Sequence, residues 1–424
     1  MKDIATAPRT PLGIPIAWWV AFGSAIGLAV GFSAVASTVF GQFVPSLSEE
    51  FGWTRAKTTL AVAFANIPLL IMAPLFGVLI DRVGAWRTLC LSQIAVPLLL
   101  MSLATLQGGL VQLYVTFLLL ALLGAGTLPA AYTRIILSWF DRRRGIGFGI
   151  ALSGVGLAAL ILPPITQALI AMLGWRTAIV AIGVGFLAVG VLNVATLMRI
   201  RPRLPGEIDA GATGESHAAI DPNSGVVWRD ALRTITYWGI ALAFVPLGLA
   251  SMGLLVNLPS ILMDRGYSPS SAASVVSILG AALIFSRLIS GWLLDHIHTM
   301  LVVAMIFATP ALGFILLSGT SSATVTAIAV FLIAFGIGAE FDVMAFLLSR
   351  FFGPISYGGL YGGTYAAYNI GVAVGPTWLA HQFDVSGSYD MALLLFAGLF
   401  VLSGIMLVLV ARRIPKPTEF LVTA

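Results

Sequence analysis

Long uninterrupted apolar runs set the strongest limit on what this chain can fold into. In hydrocarbon, every backbone N–H and C=O must find its partner inside the protein, which leaves only helices and closed barrels. A membrane-crossing helix needs about 20 apolar residues, whereas a barrel strand needs about 10 and alternates apolar with polar. The runs here are long and continuous, so they read as helices. Twelve are legible, at 15–43, 57–80, 88–106, 110–138, 145–171, 176–198, 234–261, 269–294, 300–318, 322–350, 356–381 and 390–411. The apolar stretch from Ile14 onward is too long for a cleaved signal, and further spans follow it. Only 9% of the 424 residues are charged, against roughly 25% in a soluble domain. That scarcity excludes a water-soluble enzyme, a nucleic-acid binder and a disordered chain. The single cysteine, Cys90, excludes a disulfide framework and a cysteine-based metal cluster.

Basic residues give the expected orientation. Sixteen of the 22 Lys and Arg fall at the two ends or in the even-numbered connections, among them Arg82, Arg87, Arg142, Arg143, Arg144 and Arg350. The odd-numbered connections hold Arg55, Lys57, Arg176 and Arg265, while Arg134 and Arg287 lie inside spans. Lys and Arg accumulate on the cytoplasmic side. Both termini and the long connection after span six are therefore expected in the cytoplasm. The net charge of +5 records topology, with no acidic partner such as nucleic acid implied.

The segment 199–233 is the one long polar stretch, and its Pro202, Pro205, Gly206, Gly211, Gly214, Pro222 and Gly225 mark a linker. It divides the chain into a six-helix N-terminal bundle (1–198), a cytoplasmic linker (199–233), a six-helix C-terminal bundle (234–411) and a cytoplasmic tail (412–424). The halves echo one another. GVLIDR at 77–82 ends span 2 and GWLLDH at 291–296 ends span 8, an offset of 214. Gly124-Ala-Gly126 of span 4 matches Gly336-Ile-Gly338 of span 10 at an offset of 212. A duplicated six-helix unit is the plan of many secondary transporters, with the substrate near the bilayer midplane. Gly23, Gly27 and Gly31, and likewise Gly358 and Gly362, recur every four residues, the spacing that lets helices approach closely. The Gly145-x-Gly147-x-Gly149 run is not a phosphate loop, because no strand precedes it and no Gly-Lys-Ser/Thr follows.

The stretch Gly77-x-x-x-Asp81-Arg82-x-Gly84-x-Trp86-Arg87 resembles the loop 2–3 signature of the major facilitator superfamily, with Trp86 in place of a basic residue. Its second copy, Gly291 to Asp295, keeps the glycine and the acid but has His296 in place of the arginine. The resemblance implies that Asp81 and Asp295, with Arg82, Arg142 and Arg143, form a conformational gate near the start of span 11. A narrower resemblance, to the monocarboxylate transporter and bacterial oxalate–formate exchanger-like branch, rests on four patches. These are Trp139-Phe140-x-Arg142-Arg143 with the glycines to Gly156, Gly31-Phe32-Ser33 with Thr38-Val39-Phe40, Arg287-x-x-x-Gly291, and Gly338-Ala339-Glu340-x-Asp342 with Ser349-Arg350 to Gly353. In that branch the span 8 arginine binds the substrate carboxylate, a role the resemblance gives to Arg287. Animal members place an Asp four residues before this Arg and a Lys in span 1. Here the first position is Leu283 and span 1 has no Lys, so any proton route must differ from theirs.

A charge at the bilayer centre costs about 2.5–3.5 kcal/mol on insertion scales and marks a functional candidate. Four such charges occur: Arg134, Arg287, Glu340 and Asp342. At 1.5 Å per residue, Arg287 and Asp342 lie about 12 Å from the cytoplasmic ends of their spans, Glu340 about 15 Å and Arg134 about 9 Å. Glu340 and Asp342 are about 200° apart around the helix, so they face different neighbours. Glu340 is read as the more central acid and Asp342 as part of a structural network. Arg287 either binds a carboxylate through its guanidinium fork or forms a structural ion pair with Asp342 or Glu340. Arg134 either joins the site or reaches toward the interface. A carboxyl out of water holds its proton more readily. Protonating one acid would therefore leave the four-charge set at +1, ready for a monoanion.

Tyr132, Asn257, Tyr361 and Tyr365 are further candidates for substrate contact, with Asn66, Tyr368 and Asn369 also inside spans. Tyr361, Tyr365 and Tyr368 share one helix face. His296 and His298 lack the acidic or cysteine neighbours of a metal site. No nucleophile–base pair or cofactor motif appears, so an enzyme is not expected. The chain reads as an all-α transporter of a small organic anion, working as a monomer in the cell membrane, with protons as the coupling ion. Anion exchange and efflux of a lipophilic compound are the rival readings.

Overall fold

The computed structural model describes residues 16–140, 143–198, 225–320 and 322–412. Among them every regular element is helical, and there is no strand. The main helices are α1 (Ile16–Ala29), α2 (Phe40–Phe51), α3 (Arg55–Val83), α4 (Ala85–Ser102), α5 (Leu110–Gly124), α6 (Pro129–Trp139), α7 (Arg144–Asn193), α8 (Ile235–Asp264), α9 (Pro269–His296), α10 (Thr299–Ser318), α11 (Ala323–Phe352), α12 (Tyr357–Ser386) and α13 (Asp390–Ala411). Among the described residues, nine helical segments are long and apolar enough to cross a membrane. Helices α3 and α12 are 29 and 30 residues long. Large apolar residues such as Leu91, Val111, Met172, Leu192, Ile235 and Met391 stand mostly exposed. Water would oppose such a surface, whereas lipid favours it. The chain is an integral, multi-pass membrane protein.

Local sequence explains the boundaries. Thr54, Thr234 and Ser268 open α3, α8 and α9 by accepting the N–H of the residue three positions on, the usual role of a hydroxyl N-cap. The first apolar run continues past 43: after a break at Val30 and Gly31, the helix resumes at Phe32–Ala34 and passes through a π-helical turn at Val35–Val39 into α2, which stays helical to Phe51. Runs 145–171 and 176–198 are joined without a loop, broken only by Gly174 at φ 75°, ψ 158°, which glycine adopts without strain.

The chain forms two compact units. One comprises residues up to 225 with 354–359; the other comprises 226–353 and the residues from 360. In the first, α1 and α7 cross so closely that a Cβ on Gly154 would strike the Ala25 carbonyl. Gln93 and Asn193 donate to the Gly27 and Gly23 carbonyls at 2.9 and 2.8 Å, bonding helices through their backbones. In the second, Gly248, Gly371 and Gly375 do the same service between α8 and α12.

Each unit carries a polar clasp at matching positions. Glu50 of α2 accepts hydrogen bonds from Trp175 and Arg176, and Arg176 also donates to the Leu106 carbonyl at 2.7 Å. At positions 214 residues on, Tyr389 donates to Asp264 at 3.1 Å, and Arg265 pairs with Asp390 at 2.7 Å. An acid, Asp390, thus stands at the position matching Arg176, and its basic partner Arg265 lies one residue past the position matching Glu50. Arg176 and Arg265 are each neutralised by a neighbouring acid.

Candidate functional site

Three of the four intramembrane charges meet within the second unit. Glycine creates the meeting: a Cβ on Gly338 would lie 2.8 Å from the Leu283 carbonyl and 2.8 Å from the Ser286 side chain, so α11 approaches α9 closely. Arg287 of α9 then lies beside Asp342 of α11. Arg287 is 6% exposed, and its Nη1 lies 3.7 Å from Asp342 Oδ1. That is an ion-pair distance but too long for a hydrogen bond. Asp342 Oδ2 accepts from Ser290 at 2.8 Å, one turn beyond Arg287. Arg287 Nε and Nη1 and Asp342 Oδ1 are left without hydrogen-bond partners. Buried donors and acceptors are nearly always satisfied, so this edge of the guanidinium is held open against the usual trend.

Glu340 turns the other way, as two residues of helical rotation require. It is fully buried, accepts from Ser251 of α8, and leaves Oε2 without a hydrogen bond. Tyr368 of α12 also interacts with this carboxyl. Phe341, between the two acids, faces a third direction. Its ring lies 6.0 Å from the Arg287 guanidinium carbon, 5.8 Å from Tyr365 and 5.0 Å from Tyr368.

Arg134 belongs elsewhere. It lies on α6 in the first unit, with Nε 3.5 Å from Asp81 Oδ1 and both side chains largely buried. Asp81 also accepts the N–H groups of Gly358 and Gly359 at 3.0 and 2.9 Å. These residues open α12 and cluster with the first unit. A carboxylate there satisfies two of the four orphan donors of a helix start and complements its dipole. Glycine at 77 and 358 permits the approach, since a Cβ on either would strike the other's carbonyl.

The remaining candidates are dispersed. Tyr132 is fully buried, accepts from Gln93 at 2.7 Å and packs its ring on Gly27. Asn257 bridges α8 and α12, donating to the Gly253 and Pro376 carbonyls at 2.9 and 3.1 Å. Tyr361 is fully buried, whereas Tyr365 is half-buried within the aromatic group. Arg82 and Arg143 are exposed, and Asp295 is half-buried near the end of α9. Arg142 and the Asn66 side chain lie outside the described residues. Arg144, a neighbour of Arg142 and Arg143 in sequence, is buried and donates to the Phe140 carbonyl at 3.1 Å.

Sequence reading missed Ser251, Ser290 and Gln93. Ser290 had a signal, being three residues from Arg287 and so on the same face. Gln93 is a lone amide inside an apolar run, which is itself a flag. Nothing local distinguished Ser251 from other serines in spans.

Residues 26–376 match the family model described as the Major Facilitator Superfamily. Monocarboxylate transporter 4 of Mus musculus is 26% identical over 425 residues, which cover 95% of this chain and 86% of that protein. Monocarboxylate transporter 12 of Homo sapiens is 23% identical over 402 residues, covering 88% and 75%. The crystal structure of the E. coli fucose:proton symporter FucP aligns with a TM-score of 0.69 at 15% identity, over 93% of this chain and 98% of that one. The likeness to FucP is one of fold.

Proposed function

Since the chain belongs to the major facilitator superfamily of membrane transporters, we propose that it moves a small monocarboxylate across the cell membrane with a proton, by alternating access. The single observation that carries the reading is Arg287, buried beside Asp342 with guanidinium donors unbonded. A guanidinium matches a carboxylate with parallel hydrogen bonds. Relatives named for monocarboxylates, the mouse and human proteins above, support the same substrate class.

Charge arithmetic supplies the coupling. With Glu340 neutral among hydroxyl partners, Arg287 and Asp342 cancel. A proton on Asp342 frees the arginine's charge, and one carboxylate restores neutrality. Release of both on the far side returns the starting state, one proton per anion. Glu340, with Ser251 and Tyr368, is the second proton-bearing group. Asp81, paired with Arg134 and bonded to the start of α12, is the latch whose release accompanies the change of access. Arg82, Arg142, Arg143 and Asp295 complete the gate. The topology behind this reading has twelve crossings, six before the 199–233 linker and six after it. Both termini are cytoplasmic, and the working unit is a monomer.

Uptake of labelled monocarboxylates into proteoliposomes tests it. An imposed proton gradient drives accumulation, an uncoupler abolishes it, and Arg287→Ala removes it. Counterflow that ignores the gradient would establish exchange instead. Export of lipophilic compounds undiminished in Arg287→Ala would replace the carboxylate reading altogether.

A further inference from the structure

We infer that the carboxylate taken at Arg287 carries an aromatic ring and no second charge; the inference rests on the carboxylate reading above. The charge follows from the inventory of the second unit. Arg287 is the buried cation there among the described residues, and its buried charged neighbours are Glu340 and Asp342. A dicarboxylate anchored on Arg287 would bring a second charge that no second buried cation of this unit, among the described residues, is there to meet.

Rings are what the surroundings offer. Phe341 lies beside the Arg287 guanidinium, and Tyr365 and Tyr368 lie within 5.8 and 5.0 Å of Phe341. Phe341 and Tyr365 are half-buried, so their faces are not fully used by the packing. Aromatic groups pair at centroid separations of about 4.5–7 Å in offset or edge-on arrangements. A carboxylate fixed on Arg287 leaves its body beside this shelf, where a flat ring gains more than a saturated one.

Thermal-shift and calorimetric titration of the purified full chain tests the inference with benzoate, cyclohexanecarboxylate, acetate, succinate and benzyl alcohol. Benzoate is expected to bind about tenfold tighter than cyclohexanecarboxylate, given aromatic pairing of this kind. Acetate should bind more weakly still, and succinate and benzyl alcohol should not bind. Phe341→Leu should bring benzoate down to the level of cyclohexanecarboxylate while acetate is unchanged. Equal affinity for benzoate and cyclohexanecarboxylate in the wild type overturns the inference, even if Phe341→Leu fails to fold. So does tight succinate binding. If instead no carboxylate binds, or Arg287→Lys leaves every affinity intact, the carboxylate reading itself fails. Arg287-dependent binding without preference for the ring fails only the ring.

Discussion

Asp342→Asn separates binding from coupling. On the proposed mechanism, the ionised Asp342 of the wild type competes with substrate for Arg287, and a proton removes the competitor. Binding should therefore tighten as pH falls. At 3.7 Å, with an effective dielectric constant of 20, the attraction between the pair is about 4 kcal/mol. That is an upper bound, because Ser290 steadies the carboxylate and the pair makes no direct hydrogen bond. One third of it already shifts a dissociation constant about tenfold. Asparagine keeps the shape and removes the charge. The variant should bind monocarboxylates with nearly the same affinity in mildly acidic and mildly alkaline buffer. Relative to wild type it should gain about tenfold or more on the alkaline side. In proteoliposomes it should retain counterflow but lose accumulation driven by a proton gradient. Titration across pH and gradient-driven uptake read the two effects separately. Accumulation that persists in Asp342→Asn, with the wild-type pH slope of binding, refutes the assignment of the coupling proton to this residue.

Three further outcomes follow from the packing. Asp81→Ala strips the first turn of α12 of its acceptor and leaves Arg134 buried without its counter-charge. It should cost about 3–5 kcal/mol, with partial recovery in Asp81→Ala/Arg134→Ala, as thermal denaturation of the set would show. Gly154→Ala forces a methyl against the Ala25 backbone carbonyl and should cost about 1–3 kcal/mol, whereas Gly41→Ala, in open space on α2, should stabilise by roughly 0.5–1 kcal/mol. Glu50 lies beyond the apolar run of its helix, and hydrogen bonds from Trp175 and then Arg176 hold its carboxyl below the ordinary value. Its contribution to stability is thus present above the unfolded-state value and lost as pH falls through the folded one. Glu50→Gln should flatten the acid-side decline of the melting temperature, and an unchanged slope would count against the clasp.

The helices were legible because hydrocarbon leaves the backbone so few choices. Long apolar runs located α8 to α13 to within a few residues, since a polar or glycine-bearing turn ended each one. The misreadings came where a helix outlasted its apolar stretch. Residues 44–51 are too polar for a span, yet they stay helical because Phe43, Val44 and Leu47 bury one face while Glu50 reaches Trp175 and Arg176. The join at Gly174 was hidden for the converse reason, as one left-handed glycine replaced a loop. The Glu50 and Asp264 clasps were also written in the sequence at the same offset of 214 as the Asp81 and Asp295 signatures. Their partners lie about 125 residues away, however, and no local pattern announces a pairing at that separation.

Depth along a helix proved a weaker guide to the site than rotation around it. Counting residues from span ends placed Arg134, Arg287, Glu340 and Asp342 in neighbouring layers and treated them as one neutral set. Depth fixes one coordinate, and which helix neighbours which fixes the other two. The structure divides the set: Arg134 pairs with Asp81, while Arg287 keeps both α11 neighbours of Phe341, Asp342 near it and Glu340 turned toward Ser251. The division changes the chemistry. Four balanced charges could hold one proton anywhere, but one arginine with two acids is balanced only when an acid is already neutral. On the proposed mechanism, the hydroxyl partners of Glu340 suit the neutral state and the ion pair of Asp342 the charged one. Glu340→Gln should therefore preserve proton-driven uptake far better than Asp342→Asn, and the opposite ranking in the same proteoliposome assay would exchange their roles.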